Sequence, residues 1–164
     1  MIDYEIRPAR PDEAAAVLEF WRGAAEGTSI SDDPNGVRTL IERDPGALLL
    51  AVEADRVVGT VIAGFDGWRC HLYRLAVAPD RRRRGIGSAL LDAAHRRFES
   101  FGGRRADAMV LERNETGQQA WIAAGYARED HWRRWVRPLS SSSPSPSPSP
   151  SPSPSPSPSP SRSR

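Results

Sequence analysis

Residues 75–88 have the sequence LAVAPDRRRRGIGS, in which an apolar run leads through four arginines to two glycines that flank an isoleucine. Five apolar residues then recur at helical spacing before Gly102-Gly103: Ile86, Leu90, Leu91, Ala94 and Phe98. This spacing predicts an amphipathic helix. Four arginines conflict with the positive end of a helix dipole, and an anion bound by the first backbone N–H groups would remove the conflict. The segment therefore predicts a strand, a phosphate-binding loop and a helix.

The four arginines have a simpler interpretation as a solvated charged loop. The order of strand, arginines, paired glycines and helix favours a ligand instead. A P-loop is excluded because it needs a lysine, whereas all 23 basic residues of the chain are arginine. The three-glycine dinucleotide fingerprint is absent as well.

Outward from this segment, the apolar pattern predicts strands and helices in alternation. Upstream we expect strands over residues 2–6, 47–53, 56–65 and 68–77, with helices opening at Pro11 and over residues 36–43. Downstream we expect a strand over residues 106–111, a helix over 115–124 and a final strand over 126–136. The short turns between residues 47 and 77 predict antiparallel pairing. The whole pattern indicates an α/β or α+β sheet with helices on its faces.

Two motifs resemble those of the GNAT superfamily of N-acetyltransferases. Residues 75–80 and 82–87 are similar to its acetyl-CoA motif, (Arg/Gln)-x-x-Gly-x-(Gly/Ala). Asn114, Trp121 and Gly125-Tyr126 are similar to its Asn-(x)6-Tyr-(x)3-Gly-Phe pattern. The resemblance covers residues 2–137, and residues 59–69 resemble a branch of small stand-alone bacterial acetyltransferases. It implies the GNAT fold, a mixed, mostly antiparallel central sheet splayed between the fourth and fifth strands, with helices on both faces.

The resemblance also implies acetyl-CoA as co-substrate, and it assigns residues to it. Backbone groups of three strand residues would meet the acetyl and pantetheine part: Leu75, Ala76 and Val77. Arg82 would lie beside the pyrophosphate, and the following residues would wrap it: Arg83, Arg84, Gly85, Ile86, Gly87 and Ser88. Asn114 would contact the pantetheine arm, and Trp121 would form a groove wall against it. The implied reaction is direct attack of a primary amine, of a small molecule or peptide, on the thioester in a ternary complex.

Two residues are candidates for the base that this reaction needs. His71 lies six residues before Val77, a position where some family members carry a glutamate base. Alternation puts His71 on one strand face with Leu75 and Val77, provided that no bulge intervenes. Imidazole titrates near pH 6.5 and suits the task, although an ordinary hydrogen-bonded strand residue is the alternative. Glu112, at the end of the next predicted strand, is the second candidate, with a solvated strand terminus as its alternative.

The chain differs from the family at the residue expected to protonate the departing thiolate. Seven residues after Asn114 the chain has Trp121 where many members have tyrosine, and an indole N–H cannot serve as a proton donor. Tyr73, Tyr126 or water are the substitutes. Cys70 is expected to face away from His71 as a small core residue. We expect the loop over residues 29–36, the turn at Asp66 and the last strand to set acceptor specificity.

Composition limits the competing functions. The first 139 residues carry 21 arginines and 21 acids, so the net charge of +2 comes from Arg162 and Arg164. This balance argues against a nucleic-acid-binding protein. An acyl-CoA-binding or sensing module with weak or no turnover stays open as the alternative to an acetyltransferase. One cysteine and three histidines without zinc spacing predict no metal. The apolar runs are too short for a membrane span and no signal peptide is evident, which predicts a cytoplasmic protein.

The end of the chain has a composition of its own. Residues 140–164 contain only serine, proline and arginine, with nine of the 15 prolines. Such a segment cannot bury a core, so we expect a disordered low-complexity tail after a domain of residues 1–139. The last strand of that domain is also a candidate interface for a homodimer.

Overall fold

The computed structural model describes residues 4–139 and builds one sheet with helices around it. Five strands form this part of the chain: β1 (Glu5–Pro8), β2 (Leu48–Glu53), β3 (Arg56–Phe65), β4 (Cys70–Val77) and β5 (Ala106–Ala108). It also has four α-helices: α1 (Ala14–Ala24), α2 (Pro34–Arg43), α3 (Ile86–Ser100) and α4 (Glu115–Ala123). A 3-10 turn over Pro11–Glu13 leads into α1.

The sheet has the strand order β1-β2-β3-β4-β5. The first three pairings are antiparallel, and β4 pairs with β5 in parallel. A parallel neighbour requires a crossover connection, and α3 supplies it. The predicted mixed, mostly antiparallel sheet is confirmed.

β4 and β5 pair over a short length and then part. Their register runs only from Cys70↔Ala106 to Leu72↔Ala108, whereas β4 continues to Val77. Residues 73–77 therefore have no neighbouring strand on the β5 side within the part of the chain that the structure describes. This is the predicted splay between the fourth and fifth strands.

A β-bulge interrupts β4 where the splay begins. On β3, Ile62 pairs with Tyr73 but Thr60 pairs with Ala76, so one extra β4 residue is inserted between them. Arg74 accommodates it with a positive φ of 52°. A bulge bends its strand and re-aims the side chains beyond it.

Separate hydrophobic clusters cover the two faces of the sheet. One packs α3 on the sheet and includes Val61, Leu72, Leu90 and Phe98. The other packs α1 and α2 on the sheet and includes Val17, Trp21, Val37, Ile41 and Leu50. Trp121 and Ala124 at α4 pack against the α3 cluster. Helices on both faces are confirmed.

Several predicted boundaries were wrong, above all the final strand. Residues 126–136 do not form a strand, and every side chain from Ala127 to Leu139 is exposed. An edge strand is stabilised by burying one face, and this segment buries neither. β5 ends at Ala108 and not at residue 111. The homodimer that we predicted through the final strand stays a prediction.

The chain divides into compact units at residue 128. Residues up to Arg128 form the first unit, and residues from Glu129 onward form the second. Of the second unit the structure describes residues 129–139 only, so the predicted tail over 140–164 and the start of the first predicted strand, Ile2, lie outside the described residues. No helix among the residues described is long and apolar enough to cross a membrane.

Gly59 on β3 lets α3 lie unusually close to the sheet. A Cβ added there would come within 2.9 Å of Ile86 Cγ2 and within 2.9 Å of Leu90 Cδ1. Both of these side chains are almost fully buried. The missing Cβ therefore sets the height of the first two turns of α3 above the sheet.

We expect Gly59→Ala to lower the free energy of unfolding by about 1–3 kcal/mol, because the extra methyl overpacks a close contact. Urea unfolding of the full chain measures this. Gly23→Ala is the matched control: Gly23 lies inside α1 with no atom near an added Cβ, so it should stabilise the protein by about 0.5–1 kcal/mol. Equal stability of Gly59→Ala and the wild type would contradict the close packing.

Candidate active site

The arginine loop connects β4 to α3 in a fixed conformation. A 3-10 turn over Pro79–Arg81 follows the end of β4. Arg83 and Gly85 then take positive φ values of 59° and 81°, and α3 begins at Ile86. Ile86 is buried against the α3 cluster, which anchors the first turn of the helix.

The four arginines of this loop divide into two groups. Arg81 is turned back to the protein: its guanidinium donates to Glu53 at 2.7 Å and to the Asp80 carboxylate at 2.8 Å. Arg82, Arg83 and Arg84 are exposed, and of these Arg82 also donates from Nε to the Val77 carbonyl oxygen at 3.3 Å. Three cations are thus left beside the start of α3.

The first turn of α3 has the features of an anion site. Its N-cap, Gly85, offers no side chain to the helix, and no acid lies in the first turn. The first N–H groups of a helix have no partner within it. A diphosphate fits this set of backbone donors and adjacent guanidinium groups, because both its charge and its oxygens are matched.

His71 lies on β4 next to two carboxylates. Its Nδ1 is 2.7 Å from Asp107 Oδ1, and its Nε2 is 3.8 Å from Asp66 Oδ2. About a quarter of the side chain is exposed. An Asp107 carboxylate at Nδ1 favours the tautomer with the proton there, which leaves Nε2 as the basic atom.

Asp66 is itself held by the hairpin between β3 and β4. Its Oδ1 accepts from the backbone N–H groups of Trp68 at 2.8 Å and Arg69 at 2.7 Å. These two hydrogen bonds, that from Arg69 first, lower the pKa of the Asp66 carboxyl. The predicted turn role of Asp66 is confirmed.

The bulge at Arg74 changes which side chains share a face with His71. Cys70 and Leu72 before the bulge, and Leu75 and Val77 after it, all belong to or pack against the α3 cluster. His71 alternates with the first pair, so it faces away from Leu75 and Val77. The predicted placing of His71 on one strand face with Leu75 and Val77, which required a strand without a bulge, was therefore wrong.

Glu112 does not end a strand. It lies in the turn between β5 and α4, with its side chain exposed. Its backbone carbonyl accepts from Gln118 Nε2 at 2.6 Å. Together with Leu111 and Arg113 it lines an open groove of about 400 Å³.

Asn114, at the N-cap of α4, and Trp121, within α4, each have a structural partner. Asn114 caps the helix, since its Oδ1 accepts from Gly117 N at 2.9 Å. Trp121 lies edge-on to Tyr126, with ring centroids 4.9 Å apart. These contacts fix the helix that carries both residues.

The two tyrosines considered as acids differ in environment. The Tyr126 hydroxyl lies 2.7 Å from His95 Nε2, and burial raises the pKa of Tyr126 to about 12. Tyr126 therefore gives up its proton reluctantly. The Tyr73 side chain is about half exposed, and its ring centroid is 6.1 Å from that of His71. Tyr73 is the better placed of the two.

The chain matches the model of the acetyltransferase (GNAT) family over residues 14–126. The chain belongs to this family. Curated relatives include an acetyltransferase of Pectobacterium atrosepticum, 32% identical over 111 residues that span 68% of this chain and 79% of the relative. An acetyltransferase of Sodalis glossinidius is 29% identical over 126 residues, 77% of this chain and 89% of the relative. The predicted family and enzyme class are confirmed, and this GNAT protein is an acetyltransferase.

Solved structures share the fold of this GNAT acetyltransferase. The PaiA N-acetyltransferase of Thermoplasma acidophilum in complex with coenzyme A superposes with a TM-score of 0.69 at 18% identity, covering 79% of this chain and 92% of that one. An aminoglycoside 6′-N-acetyltransferase of Acinetobacter haemolyticus gives 0.67 at 16% identity, covering 83% and 99%. At these identities the likeness concerns the fold.

Sequence reasoning missed two contacts of the GNAT site. His95 had been given no role, yet it holds Tyr126. Asp107 had not been considered, yet it pairs with His71 across the β4–β5 register. Residues 36 positions apart become neighbours here only through the parallel pairing, which no local pattern encodes.

Cys70 is a core residue, as predicted, with 1% of its surface exposed. Burial raises the pKa of its thiol. We therefore expect Cys70 in the native protein to react with Ellman's reagent on the order of 100-fold more slowly than in urea, because the thiolate is both disfavoured and inaccessible. Absorbance at 412 nm follows the reaction. Fast labelling of the folded protein would contradict the burial.

Proposed function

We propose that this enzyme transfers the acetyl group of acetyl-CoA to a primary amine of a small molecule or peptide, by direct attack in a ternary complex. The observation that carries the proposal is the place of the His71–Asp107 pair. It lies one register position before the last β4–β5 pair, at the mouth of the splay. The proposed base would thus lie next to the gap that would hold the cofactor.

The cofactor side of the proposal uses the residues that the family motif marks. Arg82, Arg83 and Arg84 would neutralise the pyrophosphate, while backbone N–H groups of residues 85–88 bind its oxygens. Leu75, Ala76 and Val77 would offer backbone groups, because no strand within residues 4–139 lies on the β5 side of β4 there. The Val77 carbonyl oxygen, which accepts from Arg82 Nε at 3.3 Å, would exchange that partner for the cofactor. Asn114 and Trp121 on α4 would border the pantetheine arm. Acetyl-CoA supplies the thioester.

The chemistry requires a neutral amine, although an alkylamine is mostly protonated at neutral pH. His71 Nε2 would accept the proton, directly or through water, with Asp107 holding the ring in the productive tautomer. The amine nitrogen bonds to the carbonyl carbon, and the C–S bond breaks. The thiolate leaves and takes a proton from Tyr73 or water. Glu112 is the second candidate base, since it lines the groove beyond β5.

Several finer points belong to the same proposal. Residues 1–139 would carry the activity, with residues 140–164 as a low-complexity spacer. Dependence on acetyl-CoA favours a cytoplasmic site of action. The names of the structural neighbours, a PaiA N-acetyltransferase and an aminoglycoside acetyltransferase, support including polyamines and aminoglycosides among the amines tested.

The first test follows thiol release from acetyl-CoA in the presence of spermidine, an aminoglycoside or a peptide with a free α-amine. We expect release that needs an amine and whose kcat falls at least about tenfold in His71→Ala, because the base is lost. Asp107→Asn should lower kcat but leave KM for acetyl-CoA unchanged, and Asp107→Glu should restore part of kcat.

His131→Ala is the matched control, since His131 is exposed and lies in the second unit. It should stay within about twofold of the wild type. An unchanged rate in His71→Ala would move the base to Glu112 or water, and Glu112→Gln would decide between them. Coenzyme A binding without turnover of any amine would favour the sensing module.

The second test concerns the arginine loop. We expect Arg84→Gln to weaken coenzyme A binding about five- to tenfold, because one charge-assisted contact to phosphate is removed. Isothermal titration calorimetry measures the Kd. Arg43→Gln, an exposed arginine on α2, is the control and should leave the Kd unchanged. Equal Kd values for both variants would remove Arg84 from the proposed site.

A further inference from the structure

Both the side chain and the backbone of Arg74, the bulge residue of β4, are held by neighbouring groups. Its guanidinium donates to the carbonyl oxygen of Gly27 at 3.0 Å and forms an ion pair with Asp32. The same group lies 5.4 Å from the centroid of the Trp21 ring. Only 12% of the Arg74 side chain is exposed. The arginine therefore ties β4 to the loop between α1 and α2.

Two hydrogen bonds of the Thr60 side chain fix the backbone of the bulge. Thr60 Oγ1 donates to the Arg74 carbonyl oxygen at 2.8 Å and accepts from Trp21 Nε1 at 3.0 Å. Thr60 is fully buried. A residue other than glycine persists at positive φ only where its surroundings over-determine it. Trp21, Thr60 and the loop together do so here.

The loop held by Arg74 also reaches the other side of the splay. A Cβ added to Gly27 would lie 3.3 Å from Leu111 Cδ1. Leu111 follows β5 and lines the groove with Glu112 and Arg113. Residues 26–32 therefore bridge the gap, touching β4 at Arg74 and the segment after β5 at Leu111.

We propose that Arg74 is a positioning residue that holds residues 26–32 as a wall of the acceptor site. The inference rests on the proposed function, because it takes the splay as the place where amine and thioester meet. The loop belongs to the helices on the face opposite α3, whereas the cofactor loop precedes α3. The bridge thus closes the side of the gap that the cofactor leaves to the acceptor.

Pairing with Asp32 also decides what Arg74 does not do. A guanidinium at this place without a protein partner would favour an anionic acceptor. The Arg74 guanidinium is instead neutralised by Asp32 and bound to a loop carbonyl. The loop therefore contributes shape and not positive charge to the acceptor site, because the Arg74 guanidinium is paired with Asp32.

The test uses Arg74→Asn in the full chain, because asparagine tolerates positive φ and removes the guanidinium. We expect amide hydrogen exchange at residues 26–32 to rise at least about tenfold, with exchange in α3 unchanged. KM for the amine that supports thiol release should rise at least about tenfold, while KM for acetyl-CoA and the Kd of coenzyme A stay within about twofold. Arg74→Lys, which keeps the charge without the fork, should recover part of the amine KM.

Arg22→Asn is the matched control, an exposed arginine on α1 paired with Glu19, and should change none of these values. Unchanged amide hydrogen exchange at residues 26–32 in Arg74→Asn would contradict the proposal that Arg74 holds this loop. Faster exchange with an unchanged KM for the amine would contradict the proposal that residues 26–32 form a wall of the acceptor site. Failure of the wild type to bind coenzyme A or to turn over any of the three amines would instead refute the proposed function. The exchange data would still show whether Arg74 holds residues 26–32.

Discussion

β4 and β5 hold each other over three register pairs and then separate, and most of what this enzyme offers a ligand follows from that separation. A parallel pair must be joined by a crossover, and α3, which supplies it, packs mainly over β3, next to the strands that part. The helix starts beside the end of β4, and its unpaired N–H groups point to the same region. One short pairing thus brings together the start of α3 and the part of β4 that has no strand on its β5 side among residues 4–139.

The bulge at Arg74 makes the separation compatible with a packed core. It reverses the alternation of β4, so that Leu75 and Val77 continue the α3 cluster that Cys70 and Leu72 begin. Without it, the residues after Leu72 would turn these apolar side chains to the other face. The same inserted residue aims its side chain at the α1–α2 loop. Core packing and the shape of the open gap are therefore set by one irregularity.

Local patterns were enough to predict most elements and the cofactor loop. The helical spacing of Ile86 to Phe98 and the glycines around it specify α3 by themselves. The final strand failed because its aromatic residues suggested a half-buried face, whereas burial depends on a neighbour that local sequence does not reveal. Asp107 was missed for the same reason, since only the β4–β5 register brings it to His71. A bulge in this strand was allowed for, but its position at Arg74 was not predicted.

The division of the four arginines has a kinetic consequence. Arg81 is compensated by Glu53 and Asp80, while Arg82, Arg83 and Arg84 stand exposed. Residues 1–139 carry 21 arginines and 21 acids with these three included, so the other residues of this part have three more acids than arginines. A local cluster of three cations on a body with no net charge produces a directed field that reaches about one Debye length, roughly 8–10 Å at physiological salt. Such a field guides a polyanion to one end of the molecule before contact. Acetyl-CoA would accordingly be bound by its phosphates first, and its thioester arm would enter the gap afterwards.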